Sequence, residues 1–141
     1  MPHIFVRAGS PFAPMGVILP TANSWTSTTA RKTLGWSADP AFPATVVVSD
    51  GIQVNGSKAA VVSFDLTYRY AWAGTVYVAA YVAGVQRGTT VSWGNPNASA
   101  DYTKTGEIPI TVASGEVVDL YVWTSHSFVF TMRTTAKWSI A

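Results

Sequence analysis

From Thr105 to Ile140 the chain alternates apolar and polar residues with a period of two, and this alternation restricts the segment to β-sheet. Ile108, Ile110 and Val112 alternate with Glu107, Pro109 and Thr111, and after Ala113-Ser114-Gly115-Glu116 the pattern resumes with Val118, Leu120 and Val122. Beyond Thr124-Ser125-His126-Ser127, the series Phe128, Phe130, Met132, Thr134, Ala136, Trp138 and Ile140 points one way. Thr131, Arg133, Thr135, Lys137 and Ser139 point the other. Side chains alternate across a strand, so a period of two places one set against a core and the other in water. The pattern predicts a strand, a tight turn, a strand, a loop and one long strand. Because it runs to Ile140, the last strand is expected inside a sheet rather than in a loose tail.

The same reading extends back to residue 44. Thr45 to Val48 and Ile52 to Val54 are joined by Ser49-Asp50-Gly51, in which Asp-Gly signals a turn. Lys58 to Tyr70 alternates cleanly, with Val62, Phe64, Leu66, Tyr68 and Tyr70 on one face. Thr75 to Val82 is apolar on both faces: Val76, Val78, Ala80 and Val82 on one, Tyr77, Ala79 and Tyr81 on the other. Such a strand is either central or covered on its second side by a partner. Ala83-Gly84 predicts a two-residue turn into Val85 to Trp93. No segment repeats apolar residues at helical spacing, and about eight evenly spaced strands point to an all-β antiparallel sandwich or jelly roll.

Residues 1–43 differ. They hold Pro2, Pro11, Pro14, Pro20, Pro40 and Pro43, six of the eight prolines. Proline lacks a backbone donor and is avoided in central strands. We read 1–43 as an extended arm with short β pieces, and 44–141 as the sandwich. Phe5, Phe12, Trp25 and Trp36 are the large aromatics expected to dock the arm, either on its own sandwich or on a neighbouring subunit.

Composition narrows the function. The chain has 141 residues, no cysteine, 48% apolar and 11% charged residues. One domain of this size forms a core without disulfide or thiolate-metal staples. The nine Lys and Arg are scattered, with only Arg31-Lys32 adjacent, so no basic cluster for nucleic acid is present. No apolar run reaches the ~20 residues of a membrane helix, and the first residues lack the pattern of a secretory signal.

Chemistry is sparsely represented. His126, flanked by Ser125 and Ser127 and following Asp119, is the best catalytic arrangement. Neighbours on one loop rarely reach the geometry of a nucleophile, base and orienting acid, so a polar turn is the simpler reading. His3 and His126 are the only histidines and no carboxylates fall at ligand spacing, so no cofactor or metal is expected. Trp72 and Trp93, with Asn95 and Asn97 nearby, offer an alternative as a platform for stacking on sugars. Core or interface packing is the simpler role for Trp and Tyr.

The turn Ala113-Ser114-Gly115-Glu116, followed by Val117-Val118-Asp119-Leu120-Tyr121-Val122, resembles a strand entry of C1q/TNF-like jelly rolls. The hairpin Val76 to Val85 resembles the strand–turn–strand element of that family, with Ala83 in place of its Asn. The resemblance spans about residues 45–141 and leaves the arm unexplained. It implies a non-enzymatic homotrimer around a three-fold axis, with Tyr77, Ala79, Tyr81, Tyr121 and Trp123 as the interface. Such modules also occur in virion proteins of tailed bacteriophages, notably those of actinobacteria. The resemblance therefore implies a structural protein on the virion surface, assembled in the bacterial cytoplasm, with the major capsid protein or tail proteins as partners. A capsid decoration protein is the leading form. A minor tail or tail-tip adhesin and a carbohydrate-binding module are the alternatives.

Overall fold

The computed structural model describes residues 12–96 and 98–141 and places twelve strands in two antiparallel sheets. In chain order they are β1 (Met15–Ile18), β2 (Asn23–Trp25), β3 (Ser37–Ala38), β4 (Val47–Val48), β5 (Gly51–Gln53), β6 (Lys58–Tyr70), β7 (Thr75–Val82), β8 (Val85–Gly94), β9 (Tyr102–Val112), β10 (Val117–Thr124), β11 (Phe130–Met132) and β12 (Lys137–Ile140). No helix occurs among the described residues.

The long strand β6 is the spine of the seven-stranded sheet. β9 runs along one edge from Lys58↔Val112 to Tyr68↔Tyr102. The other edge is shared by β12, at Val62 to Asp65, and β11, at Tyr68 to Tyr70. β1 then pairs with β12 and with β3, while β2 pairs with β11. The second sheet has the order β4-β5-β10-β7-β8. Between the sheets lie Val62, Phe64, Leu66, Tyr68 and Trp138 from one side and Val76, Val78, Leu120 and Val122 from the other, all buried. These are the inward positions of the alternating pattern.

Two features depart from the sequence expectation. The single long strand after residue 128 is two strands separated by a turn, in which the Ala136 amide donates to the Arg133 carbonyl at 3.0 Å. Met132 pairs with Tyr68 and Lys137 with Asp65, so this strand carries two more residues than its partner. An even offset conserves parity, and Met132, Ala136, Trp138 and Ile140 stay buried while Thr134 is exposed. The turn before β5 is Ser49-Asp50, with φ of 46° and 66°, not Asp50-Gly51. Gly51 instead opens β5, where a Cβ would lie 2.3 Å from Asp119 Oδ1. Ala83 and Gly84 form the expected two-residue turn, both with positive φ.

The described part of the arm takes the first of its two expected courses, onto its own sandwich. Residues 12–43 supply three strands to the seven-stranded sheet and, between β2 and β3, cross to the other one. There the Thr33 amide donates to Leu120 O (2.9 Å), Val122 N to Arg31 O (2.9 Å) and Thr124 N to Ser27 O (3.0 Å). This extends the edge of β10 beyond its short pairing with β5. Trp25 packs on Phe130 with ring centroids 5.0 Å apart, and Trp36 meets Trp138 edge-on at 6.4 Å. Both are buried at 8% and 4% exposure. They are therefore committed to their own sandwich and unavailable to dock another protein. Phe12 is part-buried against the same core, and Phe5 lies outside the described residues.

Candidate functional site

The outward faces of β7 and β10 form one aromatic surface. The register sets Tyr77 beside Trp123, Ala79 beside Tyr121 and Tyr81 beside Asp119. Tyr77 stacks on Trp123 at 5.4 Å and Tyr81 on Tyr121 at 3.8 Å, with interplanar angles of 14° and 13°. All four rings are part-buried. Ala79, at the strand irregularity between Val78 and Ala80, is fully buried within the single chain, which corrects its assignment as a contact residue because it has no area left to offer a partner. The sequence-predicted surface is therefore Tyr77, Tyr81, Tyr121 and Trp123 without Ala79.

The end of this surface is polar. Asp119 is 8% exposed and lies 3.3 Å from the Lys32 ammonium. Its Oδ1 has the ion pair without an aligned hydrogen bond. Burial pushes the Asp119 carboxyl up, against the opposing pull of Lys32. Nearby, Arg87 and Glu116 form a two-pronged pair, with Nη1 donating to Oε1 at 2.6 Å. The guanidinium, helped by the Ala113 amide, holds the Glu116 carboxyl below its usual range.

Two members of the suggested sugar platform, Asn95 and Trp93, are engaged by the core. Asn95 is buried at 6% exposure, and its amide donates to Trp72 O at 2.9 Å and Tyr70 O at 3.2 Å. Its Oδ1 accepts from the Tyr68 hydroxyl at 3.2 Å. Trp93 donates its indole N–H to Tyr68 Oη at 2.7 Å and stacks on Phe64 at 6.0 Å. Both side chains thus tie the end of β8 and the loop that follows it to the core. Burial pushes the Tyr68 hydroxyl up to about 12, with the Trp93 donation opposing.

Trp72 takes different neighbours. It is 44% exposed and stacks on Phe128, itself 41% exposed, at 4.7 Å and 13°. His126 lies 5.8 Å from Trp72. Phe128 follows the inward parity of its series but precedes β11, on the loop, and so escapes the core. The sequence reading missed this pairing because it joins two loops that are distant in the chain.

Ser125 Oγ lies 3.0 Å from His126 Nδ1 and accepts from the Thr75 amide at 2.8 Å. Asp119 is bound to Lys32 on the outer face of β10, so it does not orient the imidazole, and among the described residues the arrangement is two-membered. Among the described residues no group of His, Asp or Glu could hold a metal ion. A cavity of about 580 Å³ on the outer side of the seven-stranded sheet is lined by Asp39, Phe42, Asp65, Glu107 and Lys137 among others. It mixes charges of both signs.

Strand order, sheet pairing and two-layer packing define an antiparallel jelly roll. No protein-family model matches the chain, and no curated protein matches it in sequence. In structure it is similar to Eiger TNF from S. frugiperda, with a TM-score of 0.67 and 9% identity, covering 93% of this chain and 92% of that one. It is also similar to the globular domain of zebrafish complement 1qA protein, with a TM-score of 0.55 and 10% identity, covering 92% and 95%. The fold is that of a C1q/TNF-like jelly roll, and the coverage takes in strands contributed by the arm.

Proposed function

We propose that this chain is a non-enzymatic structural protein that assembles as a homotrimer through the aromatic surface of its five-stranded sheet. The observation that carries the reading is the run of four part-buried rings, Tyr77, Trp123, Tyr81 and Tyr121, stacked in pairs on the outer face of the five-stranded sheet. Removing the remaining exposed area contributes about 1 kcal/mol per ring. Summed over three copies, this is of the order of the cost of association. The stacked rings are already ordered, so little side-chain entropy is lost on docking. Closed rotational symmetry makes a trimer with identical contacts a natural product of one such surface. The similarity to C1q and TNF folds is compatible with this assembly.

The finer reading follows the sequence resemblance: a protein of the virion surface of a tailed bacteriophage, with a capsid decoration role preferred over a minor tail role. The structural likenesses, from S. frugiperda and zebrafish, are to the fold and do not bear on that placement. Light scattering after size exclusion tests the assembly. The expected molar mass is three times the chain mass of 15.0 kDa, reduced to a folded monomer by Tyr121→Asp. A wild-type monomer at all concentrations, or a trimer indifferent to Tyr121→Asp and Trp123→Asp, overturns the interface. Detection of the chain in purified particles of the encoding phage tests the placement, and its absence from them overturns it.

A further inference from the structure

We propose that the tip formed by Trp72, Phe128 and His126 is a binding site for an uncharged saccharide. This goes beyond the assembly reading and does not depend on it, because the tip lies on the loops joining β6 to β7 and β10 to β11.

Three observations carry the inference. The first is exposure. Trp72 and Phe128 remain 44% and 41% exposed even though they stack on each other, and Val129 beside them is 50% exposed. Two large rings left in water on a loop are a binding feature more often than a packing residue.

The second is rigidity. The Trp72 carbonyl is held by the buried Asn95 amide at 2.9 Å, and the Ala71 amide donates to Val129 O at 3.0 Å. The Tyr70 hydroxyl donates to His126 O at 2.8 Å and accepts from His126 N at 3.2 Å. Thr124 Oγ1 also donates to His126 O, at 2.9 Å. The rings are thus presented on a fixed backbone, and binding spends little entropy on ordering them.

The third is charge. Both loops lie in stretches without Asp, Glu, Lys or Arg: none occurs between Arg69 and Arg87 or between Asp119 and Arg133. Beside the rings stand the Ser125 hydroxyl and the His126 imidazole. A lipid headgroup surface or a nucleic acid would call for cations. Hydrogen-bond donors and acceptors beside an aromatic face match a sugar ring, whose polarised C–H bonds rest on the electron-rich face while its hydroxyls reach outward. The Ser125–His126 contact uses Nδ1 and leaves Nε2 for a ligand hydroxyl.

The test uses the full chain and a panel of neutral oligosaccharides built on N-acetylglucosamine, galactose and mannose. Sialylated oligosaccharides and phosphatidylglycerol vesicles serve as charged probes. Binding is followed by tryptophan fluorescence and by shifts of the Trp72 indole N–H in nuclear magnetic resonance. At least one neutral oligosaccharide should bind, with a Kd of about 0.1–10 mM, and should perturb the Trp72 signal. Trp72→Ala and Phe128→Ala should each weaken it about tenfold or more, whereas Trp72→Tyr, which keeps a stacking face, should retain more affinity than Trp72→Ala. Circular dichroism separates these losses from misfolding, and the indole shift in the wild type decides the matter if a variant does not fold. No binding across the neutral panel, binding that leaves the Trp72 signal unmoved, or selective capture of the charged probes overturns the proposal.

Discussion

Removing one oxygen atom, by Tyr68→Phe, probes the network that joins the core to the loops. The Tyr68 hydroxyl accepts from Trp93 Nε1 at 2.7 Å and donates to Asn95 Oδ1 at 3.2 Å, and the residue is fully buried. The ring itself stays, packed on Phe130 at 5.0 Å, so the variant creates almost no cavity. Each lost bond costs about 1 kcal/mol, and the desolvated Asn95 oxygen adds to that, giving about 2–3 kcal/mol in all. In thermal unfolding this corresponds to a fall of about 6–12 °C. Trp93→Phe removes the donor instead, and in a double-mutant cycle the pair should couple by about 1 kcal/mol. The pH dependence supplies a second reading. In the fold this phenol ionises near 12 rather than at 10.0, so its favourable contribution is complete below pH 10 and is lost as pH rises through about 12. The stability difference between wild type and Tyr68→Phe, measured by urea unfolding, should therefore shrink across that window. A loss below about 0.5 kcal/mol at neutral pH, or strictly additive effects with Trp93→Phe, would refute the claim that this hydroxyl ties the loop to the core.

Two further variants address the arm and the buried acid. Trp36→Ala should cost about 3–5 kcal/mol in chemical unfolding, because Trp36 is buried against Trp138 and its indole N–H donates to the buried Thr33 hydroxyl at 2.7 Å; a loss under about 1 kcal/mol would show that the arm is dispensable to the sandwich. Asp119→Asn should raise stability relative to wild type more at neutral pH than at about pH 3.5. The raised Asp119 carboxyl contributes most when protonated, below its unfolded value, and that contribution is lost as pH rises through the folded one. A variant penalised more at neutral pH than in acid would mean that the Lys32 ion pair outweighs burial.

Legibility in the sequence tracks how local the cause is. Lys58 to Tyr70 and Thr75 to Val82 coincide with β6 and β7, because period-two burial is written directly into side-chain order. The break at Arg133–Ala136 was hidden because an offset of two leaves the apolar parity undisturbed. The turn at Ser49-Asp50 was displaced by one residue because Gly51 is required by Asp119, a neighbour from another strand. The aromatic surface was visible from parity, but the full burial of Ala79 was not, since strand alternation places it on the same face as the part-buried Tyr77 and Tyr81. The role of Asn95 and the pairing of Trp72 with Phe128 depend on loops that meet only after the sheets have formed. Trp25 and Trp36 were recognisable as needing a surface; which surface became clear only from their contacts with Phe130 and Trp138.

The pairing of β1 with β12, Met15 opposite Ile140, has a consequence for biosynthesis. The segment made early cannot find its hydrogen-bonding partner until the segment encoded more than a hundred codons later has left the ribosome. Closing so long a loop slows folding. During translation the early strands wait with open edges, exposed to strands of neighbouring nascent chains. Crowded polysomes would then favour mispaired or exchanged strands, and slower initiation or a holdase chaperone would raise the yield of correctly closed sandwiches.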